Sequence, residues 1–60
     1  MLSTYIQEAI GGRLSVTVYT VNGYQLKGSI IAEFEDHVLI FSNGKKRMVY
    51  KHAISTIEPA

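Results

Sequence analysis

The chain changes its hydrophobic period once, near residue 13. Over the first ten residues, Tyr5, Ile6, Ala9 and Ile10 recur at helical spacing and share one face. Ser3 or Thr4 is placed to cap this helix, and Thr4 with Gln7 has capping-box spacing. Gly11-Gly12 reads as the stop, because glycine accepts the left-handed conformation that follows a helix end. A helix this short is marginal in water by itself, so it has to dock. From Leu14 the period becomes two. Leu14, Val16, Val18 and Thr20 alternate with Ser15, Thr17, Tyr19 and Val21, and β-branched residues dominate, as a half-buried pleated surface favours.

Turn chemistry divides the rest. Asn22-Gly23 is a strong hairpin signal, since a type I′ turn needs two positive φ angles. A second strand runs from Tyr24 to about Glu33, and Gly28 inside it marks a bulge or sharp bend. Phe34-Glu35-Asp36 is a polar break. A third strand covers His37 to Ser42, Asn43-Gly44 makes a second hairpin turn, and a fourth strand covers Lys45 to Tyr50. Lys51-His52-Ala53 turns the chain into a very short fifth strand, Ile54 to Ile57, ended by Pro59. The expectation is a mainly β fold forming one domain over residues 1–60: a short N-terminal α-helix, then a strongly bent five-stranded antiparallel barrel. Closing a sheet on itself manages its edges. So short a last strand covers a barrel edge poorly, and an exposed edge invites a second chain. Repeated about a rotation axis, that contact closes a ring.

Composition strengthens the ring expectation. A chain of 60 residues buries only about 60% of the surface its unfolded form exposes. Small domains add disulfides, a metal or oligomerisation. There is no cysteine, which excludes disulfides and thiolate zinc sites. His37 and His52 stand apart without ligand spacing, so neither metal nor cofactor is expected. Oligomerisation is the staple left. The 47% hydrophobic and 18% charged content is that of a globular protein. A net charge of +1 does not by itself point to nucleic acid, so charge placement decides. No apolar run approaches the roughly 20 residues of a membrane span. No signal-peptide pattern opens the chain. The expectation is a cytoplasmic protein with no membrane partner.

Three places carry candidate chemistry. Tyr50-Lys51-His52, in a turn between strands, can project toward one rim a stacking face, a point charge and a group that donates or accepts near neutral pH. Aromatic plus basic groups on a small β-barrel suit single-stranded nucleic acid; a plain polar turn is the alternative. Tyr19, Tyr24 and Leu26 flank the first hairpin turn, with Tyr24, Leu26 and Gly28 on one strand face. They form either an aromatic platform or ordinary cross-strand packing. Lys45-Lys46-Arg47 is either a solvated hairpin that keeps an edge soluble or a phosphate contact.

An enzyme is not expected. Nucleophilic catalysis needs a base and an orienting group near the nucleophile, and Ser55 and His52 need not meet. Glu33, Glu35 and Asp36 are read as a solvated loop without the desolvation that tunes a carboxylate. No phosphate-cradling glycine loop or metal-ligand spacing occurs.

Two segments carry a family resemblance. Tyr50-Lys51-His52-Ala53-Ile54-Ser55-Thr56-Ile57 resembles the signature of Hfq, the bacterial Sm-like (LSm) RNA chaperone family. Val21-Asn22-Gly23-Tyr24-Gln25-Leu26-Lys27-Gly28 resembles its first Sm motif. The resemblance covers roughly Val16 to Pro59. It implies an N-terminal helix, a bent five-stranded barrel, and a homohexameric ring in which neighbours pair the fourth strand with the fifth. It implies a ring-shaped RNA chaperone in post-transcriptional regulation and the stress response, partnered by small regulatory RNA and mRNA. U-rich RNA would bind the proximal pore face through His37, Tyr50, Lys51 and His52. A-rich RNA would bind the distal face through Tyr19, Gly23, Tyr24, Leu26, Lys27, Arg47 and Thr56. Arg13 and Phe34 would stand at the rim.

The chain also departs from the family pattern. His37 stands where a stacking phenylalanine is usual, and Arg47 where a glutamine commonly helps read adenine; arginine cannot accept a hydrogen bond. Gly28 to Phe34 is one residue longer than usual, which predicts an altered bulge near Ile30-Ile31. Gln7 matches the order Ile, Gln, acid of the family helix in a shifted register. Ile10-Gly11-Gly12-Arg13 keeps one arginine of a rim cluster. These departures sustain an alternative, an Sm- or SH3-like protein-interaction barrel with weak or lost RNA binding. A third reading, a small tautomerase, would need an N-terminal proline that Met1-Leu2 does not offer.

Overall fold

The computed structural model describes residues 2–60, with side chains from Ser3 onward; Met1 lies outside the described residues. Helix α1 (Leu2–Gly12) buries Ile6 and Ala9 completely and packs Tyr5 and Ile10 against the same core, the face that the spacing predicts. Its ends differ from the sequence reading. Ser3 and Thr4 lie inside the helix and do not cap it. The two glycines do not stop it either. The left-handed residue is Arg13, at φ 52°. Leu14 N–H reaches the Ala9 carbonyl at 3.0 Å and Arg13 N–H the Ile10 carbonyl at 3.2 Å. That bond pair is a Schellman closure, which satisfies the last helical carbonyls one residue later than expected.

Five strands follow: β1 (Ser15–Thr20), β2 (Gln25–Glu33), β3 (His37–Ser42), β4 (Lys45–Tyr50) and β5 (Ile54–Pro59). A 3₁₀ turn, Lys51–Ala53, joins the last two. All pairings are antiparallel, in the order β4-β3-β2-β1-β5. The inner face carries Val16, Val18, Ile30, Val38, Ile40 and Val49, which close over Ile6 and Ala9. Leu14 is not part of this core. It precedes β1 at the helix exit and is 45% exposed.

The hairpins differ in kind. Asn43 and Gly44 both have positive φ, 54° and 75°, as a type I′ turn requires. In the first hairpin Gly23 alone does, at 96°, among Val21, Asn22 and Gly23. Thr20 N–H bonds to the Tyr24 carbonyl at 2.9 Å, so the loop holds three residues with glycine last. Asn22-Gly23 therefore makes the three-residue form of turn, not the expected type I′.

Two features bend β2. At Gly28 a Cβ would stand 2.0 Å from the Phe41 carbonyl oxygen, so only glycine lets β3 pass this close. Ser42 Oγ then donates to the Lys27 carbonyl at 2.8 Å. Further along, pairing shifts from Ile30↔Ile40 to Ala32↔Leu39 and leaves Ile31 as a bulge. The bulge falls where the extra residue predicts it. Strand β5 is longer than expected. It pairs with β1 from Thr20↔Ile54 to Val16↔Pro59, and Pro59 is tolerated because β5 is the outermost strand.

Candidate functional site

The 3₁₀ turn is fastened at both ends. Lys51 N–H donates to the Asp36 carbonyl at 2.9 Å, and Val21 N–H donates to the Ala53 carbonyl at 2.9 Å. Phe34 N–H to the His37 carbonyl, 2.8 Å, closes the break between β2 and β3. The backbone thus brings Phe34, His37, Tyr50, Lys51 and His52 to one end of the sheet, although the two groups are far apart in sequence.

The rings form a continuous row. Phe34 stacks on His37 at 4.6 Å between centroids and 15° between planes. Tyr50 meets His37 edge-on at 6.5 Å, and lies flat against His52 at 5.4 Å and 13°. Phe34 is thus in contact with the His37 end of this row. His37 Nδ1–H donates to Asp36 Oδ1 at 2.6 Å, which holds the Asp36 carboxyl below its ordinary range. Phe34 and Tyr50 remain 47% and 46% exposed, so both offer aromatic surface to a flat ligand.

Beside the row lies a polar cage that the sequence reading missed. Glu33 ends β2, as the strand bounds predict, but its carboxylate is not solvated. Its side chain is only 7% exposed. Oε2 accepts from Ser3 Oγ at 2.8 Å and from Lys51 Nζ at 2.7 Å; Oε1 accepts from Gln7 Nε2 at 2.6 Å. The bond from Lys51, then those from Gln7 and Ser3, pull the carboxyl down to about 2. The one available signal was that Ser3 and Gln7 are a helical turn apart, on one side of a helix that must dock.

The second set occupies the outer face of β1, β2 and β5. Register puts Tyr19 opposite both Gln25 and Thr56, and Thr17 opposite both Lys27 and Glu58. Tyr19 OH donates to Glu58 Oε2 at 2.9 Å, which raises the phenol above its ordinary value. Tyr24, 68% exposed, stands beside Gly23 at the hairpin tip. Leu26 falls on the opposite, core-facing side and packs against the core. Arg47 is not near this set within one chain. It sits on β4 opposite Ile40, with β3 and β2 between. Arg13 lines a shallow groove with Ile10 and the bulge residues Ile30 and Ile31.

A short helix docked on a strongly bent, antiparallel five-stranded sheet, with a Tyr-Lys-His turn between its last strands, defines an Sm-like protein. The model of the Hfq protein family matches residues 3–60. Proteins named RNA-binding protein Hfq are similar to the chain: that of Clostridium botulinum strain Hall is 46% identical over 93% of this chain, and that of Brevibacillus brevis 45% identical over 93%. The chain spans 66% of the length of the former and 71% of the latter. A crystal structure of Hfq, described as a pleiotropic translational regulator, superposes with TM-score 0.89 at 36% identity and covers 93% of both chains. The chain belongs to the Hfq family.

Proposed function

We propose that the 60 residues act as one Sm-like unit of a homohexameric, cytoplasmic RNA-binding ring without catalytic activity, which engages U-rich RNA beside the Tyr50-Lys51-His52 turn and A-rich RNA on the Tyr19–Tyr24 face. The observation that carries the reading is the row of Phe34, His37, Tyr50 and His52 with Lys51 beside it. Exposed rings supply stacking area that tolerates any base, and Lys51 supplies a charged hydrogen-bond donor beside them. The name of the similar proteins, RNA-binding protein Hfq, supports it.

The ring reading has its own support. The sheet ends in two unpaired edges, β4 and β5. Beside the β4 edge, Phe41 and Met48 form an exposed apolar strip, 47% and 50% accessible. Pairing β4 of one subunit with β5 of the next satisfies both edges, covers the strip, and brings Arg47 of one subunit toward Thr56 of the next. Six weak contact sets then act together through effective concentration.

Fluorescence anisotropy with labelled oligo-U and oligo-A near physiological salt tests the reading. Binding of both is expected. A folded, assembled protein that binds neither would instead be the interaction barrel.

A further inference from the structure

Among the described residues, Lys51 is the one lysine or arginine held in an ion pair. We propose that Glu33 is a positioning residue that converts Lys51 from a phosphate counter-ion into a charge-compensated hydrogen-bond donor, so that Lys51 supplies affinity for U-rich RNA with no share in its salt dependence. The inference rests on the RNA-binding reading and adds to it a division of labour among the cations.

The geometry carries it. A lysine that meets a phosphate releases the counter-ion condensed there, and this release makes binding fall with salt. That role needs a free ammonium. Lys51 Nζ lies 2.7 Å from Glu33 Oε2, so the pair carries no net charge. A phosphate approaching Lys51 meets the Glu33 carboxylate as well and is repelled by it.

Glu33 is held in place by more than the lysine. Its two oxygens accept from Ser3 and Gln7 on the docked helix as well as from Lys51. The Lys51 side chain is itself 24% exposed and therefore largely packed. A lysine ammonium has three donors, and Glu33 takes one. Two remain for neutral acceptors such as the carbonyl of a uracil or a ribose hydroxyl. A flexible point charge becomes a donor of fixed direction, which selects for geometry rather than for charge. Steering of the strand falls to the unpaired cations, Lys27, Lys45, Lys46, Arg47 and Arg13.

The test is the salt dependence of oligo-U binding by the assembled protein, its Lys51→Met/Glu33→Gln double variant and its Glu33→Gln variant. Glutamine keeps the size of Glu33 and an acceptor oxygen, and melting curves check that each variant is folded. The double variant, which removes the neutral pair as a unit, is expected to weaken binding with the slope of log K against log salt unchanged. Glu33→Gln is expected to steepen that slope by about 0.7 for each freed lysine that reaches a phosphate. A slope flattened by that amount in the double variant, or left at the parental value in Glu33→Gln, overturns the proposal.

A second measurement needs no RNA. Carbon NMR of the Glu33 carboxyl in the free protein should show its titration midpoint rising in Lys51→Met. An unmoved midpoint overturns the proposal whatever the RNA result. A midpoint that moves in Lys51→Met, while the parent binds no oligo-U at any salt, overturns the RNA-binding reading, and this inference with it.

Discussion

The Phe41 carbonyl oxygen occupies the space that a side chain on Gly28 would need. The 2.0 Å between them is far inside any real contact, and the clashing atom is backbone, which cannot rotate away. Gly28→Ala therefore forces β2 and β3 apart where the sheet bends. Overpacking of this kind costs about 3 kcal/mol, the upper part of its usual range. A chain of this size has on the order of 3–9 kcal/mol in total. Urea denaturation followed by circular dichroism should show the midpoint fall steeply or the cooperative transition vanish.

Acid should loosen the helix from the sheet through Glu33. The carboxyl sits at about 2 in the folded protein against an ordinary 4.5. A depressed folded value means that the stabilisation is present above pH 4.5 and lost as pH falls from there through 2. Thermal melts between pH 6 and 2 should show this loss in the parent. Glu33→Gln, which cannot titrate, should start lower and decline less over that window.

Lys51→Ala should weaken oligo-U binding about tenfold or more per site, since a hydrogen bond from a charged donor contributes about 1.5–3 kcal/mol. Paired anisotropy titrations measure this. Oligo-A binding should stay within about twofold of the parent. Equal loss of both ligands would contradict separate faces.

Tyr24 is 68% exposed, so removing its ring leaves stability within about 0.5 kcal/mol. Tyr24→Ala should instead weaken oligo-A by about 1–3 kcal/mol for each base stacked there. The same titrations should find oligo-U binding unchanged.

Met48 lies on the outer face of the β4 edge, opposite Leu39, and is 50% exposed in a single chain. Met48→Glu should cost little in one subunit and much in a ring that buries this strip. Light scattering behind size exclusion should show the mass drop from six copies toward one.

How much of this was legible in the sequence depends on the kind of signal. Strands β3 and β4 were bounded correctly because Asn43-Gly44 fixes a type I′ turn and with it the register. The bulge at Ile31 was legible as one residue too many between Gly28 and Phe34. The helix end was not. Closure by the Ala9 and Ile10 carbonyls depends on where Leu14 can go, and local glycine preference does not contain that. Strand β5 was cut short because Pro59 cannot donate, but an outermost strand does not ask it to. The aromatic turn could be read because Tyr50, Lys51 and His52 are contiguous. The Glu33 cage could not, because Ser3, Gln7, Glu33 and Lys51 meet only once α1 docks on the end of β2. The split of Leu26 from Tyr19 follows from strand alternation once the register is fixed.

The central claim is that one assembly carries two independent RNA faces. Competition tests it most directly: labelled oligo-A is bound to the assembled protein and unlabelled oligo-U is added to saturation. With two independent faces, the oligo-A anisotropy is retained, or rises as a ternary complex forms. Stoichiometric displacement of oligo-A by oligo-U would mean a single shared site and would contradict it.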